Sequence, residues 1–168
     1  MNFTELAAAR YSVRQFKDTP VEPEKISRIL ETARIAPTAA NKQPQRILVI
    51  QDKAGLKKID ACTPCRFAAP LVFIICYDKN ETWIRKFDGA NSGVVDAAII
   101  TTHMMLQAAD TGLGTTWVMH FDPAKTSETF GLPPNIVPVA FLPAGYPAND
   151  AEMSGFHHQR QALEKILL

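Results

Sequence analysis

Apolar residues recur at helical spacing along the first third of the chain and crowd into short runs further on. Phe3, Leu6 and Ala7 predict a short opening helix that ends near Arg10. From Pro23, a favoured first helical residue, Ile26, Ile29, Leu30 and Ala33 fall at i, i+3, i+4 and i+7 and predict an amphipathic helix. It stops at Ala36, because Pro37 disfavours helical geometry in the residue before it. A polar loop over residues 38–45 follows. The run Ile47, Leu48, Val49 and Ile50 then predicts a buried strand over 46–51. A short helix over 53–61 leads through Cys62-Thr63-Pro64-Cys65 to a second strand at 71–77, and residues 78–93 read as a flap or loop carrying Trp83 and Phe87.

The longest predicted helix, 92–110, is apolar around most of its circumference, with Asp96, His103, Gln107 and Asp110 as a narrow polar stripe. Such a helix must be buried on nearly every side. One small core can hardly surround it, so a partner subunit is the expected cover for the rest. A third strand is expected at 115–118, a helix at 123–130, a fourth strand at 137–145 and a helical tail at 159–168. Interleaving at irregular spacing favours a mixed sheet wrapped by helices over a regular doubly wound fold.

With 168 residues, 46% hydrophobic and 21% charged, residues 1–168 form one domain able to bury about 70% of the surface of the unfolded chain. Eighteen Lys and Arg against 17 Asp and Glu leave +1, so bulk charge recruits neither nucleic acid nor an anionic membrane, and any anion site must be local. No run approaches the ~20 apolar residues of a spanning helix. The first nine residues lack a basic leader, so a cytoplasmic location is expected. Three cysteines do not make a disulfide framework, and Cys62 and Cys65 read best as plain thiols near a helix end.

Arg10, Ser12 and Arg14 carry the strongest anion signal. If the chain is extended there, residues two apart share a face, so two guanidinium groups and a hydroxyl converge in a way that suits phosphate. Solvated arginines at a helix end are the alternative that spacing alone leaves open. The loop Pro37-Thr38-Ala39-Ala40-Asn41-Lys42-Gln43-Pro44 could approach a planar ligand closely, or simply join a helix to a strand. Residues 115–120 could offer backbone amides from a strand edge or form an interior strand. Gly112-Leu113-Gly114 lacks a dinucleotide fingerprint, since a helix precedes it and a strand follows, so Gly112 reads as a helix C-cap. No Ser-His-Asp order, HExxH or P-loop occurs, and His103, His120, His157 and His158 show no ligand spacing. Chemistry run by an organic cofactor needs none of these.

Together, Arg10-Tyr11-Ser12-Val13-Arg14-Gln15-Phe16, the 36–44 loop, Asp96-Ala97-Ala98 and Gly112-Leu113-Gly114-Thr115-Thr116-Trp117-Val118 resemble the FMN-dependent nitroreductase family. Gly131-Leu132-Pro133, Val139-Ala140 and Gly145-Tyr146-Pro147 complete the family order, as in a compact member. The resemblance implies an α+β fold with a mixed, mainly antiparallel central sheet flanked by helices, and a homodimer with FMN at its interface. By position, Arg10 and Ser12 would hold the FMN phosphate, Arg14 the ribityl chain or pyrimidine edge, and Tyr11 would lend backbone. Pro37, Thr38, Ala39 and Asn41 of the other subunit would line the isoalloxazine. Backbone around Trp117, Val118, Met119 and His120 would face the flavin, and Arg160 would help close on the phosphate. Arg66 is matched loosely to a basic residue beside the pyrimidine. The activity implied is ping-pong hydride transfer through flavin N5, from NADH or NADPH to a small electron-poor acceptor such as a nitroaromatic or quinone, with Trp83 and Phe87 as candidate substrate walls. The alternative is a flavin-binding carrier or sensor with little turnover.

Overall fold

The computed structural model describes residues 1–168. Helix α1 (Phe3–Ala9) opens with a reciprocal cap, in which Asn2 Oδ1 accepts the Glu5 N–H at 3.0 Å and Glu5 Oε2 accepts the Asn2 N–H at 2.9 Å. It is followed by α2 (Pro23–Ile35), β1 (Gln45–Ile50), α3 (Lys53–Cys62), β2 (Leu71–Asp78), α4 (Gly93–Asp110), β3 (Gly114–Thr115), α5 (Pro123–Phe130) and β4 (Ile136–Gly145). The sheet order is β1-β2-β4-β3, and every ladder is antiparallel. One parallel bridge, Ser12 with Thr115, docks the segment after α1 onto β3.

Strand β2 is buried along its whole length, and its alternating side chains divide the interior. Leu71, Phe73, Ile75 and Tyr77 pack with Ile26, Ile29 and Ala33 of α2 and Ala97, Ile100, Met104 and Ala108 of α4. Val72, Ile74 and Cys76 face the other way, onto Ile59 and Cys62 of α3 and Phe141 of β4. Pro138, which has no N–H to donate, sits where the β2–β4 register slips by one residue beside Cys76.

Several expectations from the sequence change here. β1 is not a buried strand: it forms the sheet edge and is mostly half-exposed, because no further strand covers it. The third strand is shorter than 115–118. The regular ladder ends at Thr115, after which the chain keeps one bond to β4, from the Thr116 N–H to the Pro143 carbonyl at 3.2 Å, and a bridge between Val118 and Phe141. The tail forms short 3₁₀ turns at Gly155–His158 and Leu163–Lys165 instead of a helix, because Leu163, Ile166 and Leu167 find no surface to pack on and stay exposed. The long helix ends as expected, with Gly112 at φ +80° and the Leu113 N–H returning to the Ala108 carbonyl at 2.9 Å. No helix is long and apolar enough to cross a membrane.

Candidate functional site

Beyond α1 the chain turns extended at Arg10 (φ −63°, ψ 128°), and the Val13 N–H donates to the Thr115 carbonyl at 3.0 Å. Val13 is thereby buried, while Ser12 and Arg14 on either side of it point to the opposite face. Gly114 permits this approach, since a Cβ there would lie 2.5 Å from Val13 Cγ2. Arg10, Tyr11, Ser12 and Arg14 then line a cleft of about 230 Å³ together with Ser154, Phe156, His157 and Arg160 from the far end of the chain.

The electrostatics of this cleft are one-sided. No carboxylate lines it, and none of its three arginines takes part in an ion pair. Arg14 Nη1 reaches only the Ser12 carbonyl at 3.5 Å, and Arg160 Nη1 only the carbonyls of Phe156 and Gln159. Arg66 contrasts with them: Nε and Nη2 grip both oxygens of Asp60 at 2.6 and 2.8 Å, and Nη1 donates to the Ala69 carbonyl. Its guanidinium braces the turn after α3, with three of its five N–H donors given to Asp60 and to the Ala69 carbonyl.

The loop after α2 lies outside the arginine cleft of its own chain. Pro37 and Asn41 are exposed, and Thr38 and Ala39 half-buried. Ala40, Asn41 and Gln43 have φ near +50°, a costly conformation for residues with a side chain. Thr38 Oγ1 accepts the Gln43 N–H at 3.0 Å, and Asp96 Oδ1 accepts the Ala39 N–H at 2.9 Å. Asp96, on the polar stripe of α4, is therefore held inside the protein. It is 1% exposed, and its other oxygen accepts the Ser92 hydroxyl at 2.7 Å.

Residues 117–120 form a third separate region. Val118 exchanges two hydrogen bonds with Phe141, both 2.9 Å, and Thr63 Oγ1 donates to the His120 carbonyl at 2.6 Å. Thus the Cys62-Thr63-Pro64-Cys65 turn braces this segment from behind. Its thiols are free, as is that of Cys76, which burial pushes up to about 12. Met119 and His120 are exposed, and the Trp117 indole Nε1 is buried with no hydrogen-bond partner. Trp83 and Phe87 sit in the loop between β2 and α4, with Phe87 almost wholly exposed beside the Arg85–Asp88 ion pair.

One flank of α4 is bare. Val94 and Val95 are 52% and 61% exposed, so one chain leaves part of this apolar helix uncovered, as expected of a core this small. A groove of about 400 Å³ runs beside Leu106 and His103, walled by Phe3 and Leu6 of α1.

The nitroreductase family model matches residues 7–63 and 64–146, which include both the arginine segment and the Asp96-braced loop. The chain belongs to the nitroreductase family. A nitroreductase family protein from Clostridium difficile 630, solved by crystallography, is 43% identical and covers 100% of this chain and 98% of its own, with a TM-score of 0.94. A protein of Methanothermobacter thermautotrophicus provisionally named NADH dehydrogenase/NAD(P)H nitroreductase is 30% identical over 98% of this chain and 88% of its own length. A nitroreductase of Exiguobacterium sibiricum, crystallised in complex with FMN, has a TM-score of 0.84 over 99% of this chain and 96% of its own. At 20% identity that likeness is one of fold.

Spacing in the sequence located Arg10, Ser12 and Arg14, and the family resemblance added Arg160; the fold gathers all four into one cleft. Three neighbours were missed. Ser154 and His157 carry no motif, and Asp96, placed on the polar stripe of its helix, was given no part in holding the 36–44 loop that its carboxylate meets. Ser92 and Asp96, four apart at a helix start and therefore on one face, were the available signal.

Proposed function

We propose that this protein is an FMN-dependent NAD(P)H oxidoreductase that works as a homodimer and reduces small electron-poor acceptors such as nitroaromatics or quinones. One observation carries the reading: three unpaired arginines and a serine hydroxyl line a single cleft that holds no carboxylate. A phosphate monoester brings about −1.5 to −2 charges and three acceptor oxygens, which guanidinium forks match bidentately. The donor set thus fits the terminal phosphate of FMN.

A cleft of about 230 Å³ is below the roughly 300–1,000 Å³ of pockets that enclose a ligand of this size. One chain therefore covers only part of the cofactor. The exposed Val94 and Val95 on α4 and the exposed loop at Pro37 and Asn41 are the surfaces a second copy would use to complete the site. In that assembly Thr38, Ala39 and Asn41 from the partner copy, and the backbone at 117–120, would flank the isoalloxazine. The Asp96 bond to Ala39 keeps the loop in its positive-φ shape, and Thr63 holds the His120 carbonyl in place.

When bound, FMN supplies the hydride acceptance and donation at N5 that no side chain of this protein can perform. The chain's part is to grip the phosphate with Arg10, Arg14 and Arg160, to neutralise its charge, and to present rigid backbone along the ring. Trp83 and Phe87, on an exposed loop, are suited to stack on a flat acceptor.

The test is anaerobic mixing of the FMN-loaded protein with NADH or NADPH. Rapid loss of the flavin visible absorbance, recovered on adding a quinone or nitroaromatic, is the expected result. A yellow protein that neither nucleotide bleaches would instead be a flavin carrier or sensor.

A further inference from the structure

The arginine cleft has one wall that comes from a different part of the chain. Residues 151–168 contain no buried residue. A single hydrogen bond joins them to residues 1–147, from His157 Nε2 to the Ala8 carbonyl at 2.9 Å. That carbonyl lies in the last turn of α1, where no intrahelical donor remains for it. The geometry requires the imidazole to carry its hydrogen on Nε2. The half-buried ring also meets Tyr11 edge to face, with centroids 6.4 Å apart and planes at 74°.

Three residues further on, Arg160 folds back over the same 3₁₀ turn. Its Nη1 donates to the carbonyls of Phe156 at 3.2 Å and Gln159 at 2.9 Å, which leaves Nε and Nη2 free for an anion. We infer that His157 is a positioning residue for phosphate binding: it latches the C-terminal segment to α1 and thereby sets Arg160 against Arg10, Ser12 and Arg14.

The physical need for a latch is entropic. Ordering a free segment costs backbone freedom at every residue it fixes. A tail already fastened beside the cleft removes that cost from the binding step, so Arg160 acts as part of a preformed site. The inference rests on the proposed FMN reading, because the ligand it serves is the phosphate monoester.

The experiment is a fluorescence titration of FMN and riboflavin against the wild-type chain, His157→Ala, His157→Gln, Arg160→Ala and the His157→Ala/Arg160→Ala double variant. His157→Ala is expected to weaken FMN about tenfold, and the double variant to bind no worse than Arg160→Ala alone, since both act through one guanidinium. His157→Gln places an amide N–H where Nε2 stood and is expected to restore affinity, with riboflavin unaffected throughout. Limited trypsin cleavage after Arg160, without cofactor, is expected to be faster in His157→Ala and normal in His157→Gln. Wild-type FMN affinity in His157→Ala, or losses that add in the double variant, would overturn the latch. A wild-type chain with no FMN affinity would overturn the proposed function, and the trypsin comparison would then still decide whether His157 fastens the tail.

Discussion

Asp96 Oδ1 accepts the backbone N–H of Ala39 at 2.9 Å, joining the first turn of α4 to a loop 57 residues earlier. The same carboxylate accepts the Ser92 hydroxyl, and it is buried among the residues that start the helix. One side chain thus holds both the helix start and a loop with three non-glycine residues at positive φ.

Asp96→Ala leaves the Ala39 N–H and the Ser92 hydroxyl without their acceptor. The expected loss of stability is about 1–3 kcal/mol, read from urea unfolding midpoints. Asp96→Asn keeps one carbonyl oxygen for Ala39 and is expected to lose less. Equal midpoints in all three proteins would mean that the loop holds its shape unaided.

Gly114 and Gly112 are two residues apart, yet substitution should separate their roles. At Gly114 a methyl group would meet Val13 at 2.5 Å and push the arginine segment away from β3. Gly114→Ala is expected to lose about 1–3 kcal/mol of stability and to weaken FMN together with it. Gly112, at φ +80° in open space, is expected to cost about 1 kcal/mol on substitution by Ala with FMN affinity intact. Comparing unfolding curves and FMN titrations for the two variants checks the contrast.

The bare flank of α4 offers a direct handle on assembly. Val95 is 61% exposed in the single chain, so Val95→Glu is harmless to a monomer and costly to a dimer that buries it. Analytical ultracentrifugation is expected to find this variant monomeric, with its flavin lost. A dimer of unchanged affinity would remove α4 from the interface.

Acid should release one tie at the start of α2. The Glu22 carboxyl is held below its ordinary 4.5 by main-chain hydrogen bonding at its own position and then by the Tyr146 hydroxyl, which donates to it at 2.8 Å and accepts from Lys25 Nζ at 2.7 Å. A depressed carboxyl contributes stability above its unfolded value and loses it as pH falls through the folded one. Tyr146→Phe is therefore expected to lower Tm at pH 7 and to lower it less at pH 3. A gap that stays constant across this range would show that Glu22 does not couple to folding through Tyr146.

Much of this architecture was legible in the sequence because local periodicity and tertiary packing agree. The 3.6-residue repeat of Ile26, Ile29 and Ala33 is the face α2 buries, and the continuous run of β2 is buried on both sides. Legibility failed where burial depends on what lies alongside. The apolar run of β1 reads like that of β2, yet only the sheet order makes β1 an edge. Leu163, Ile166 and Leu167 have helical spacing but no surface within the chain to pack against. For the site, the alternation of Arg10, Ser12 and Arg14 could be read directly. The contribution of Ser154 and His157 could not, because nothing local in the sequence records that the chain end returns to α1.

The measurement closest to the central claim is the affinity of the wild-type protein and of Arg10→Ala for FMN and for riboflavin, which lacks the phosphate. FMN is expected to bind the wild-type chain at least about tenfold tighter than riboflavin, and Arg10→Ala to erase most of that margin while leaving riboflavin binding unchanged. Equal affinities of the wild-type chain for the two flavins would contradict the assignment of the arginine cleft to the phosphate.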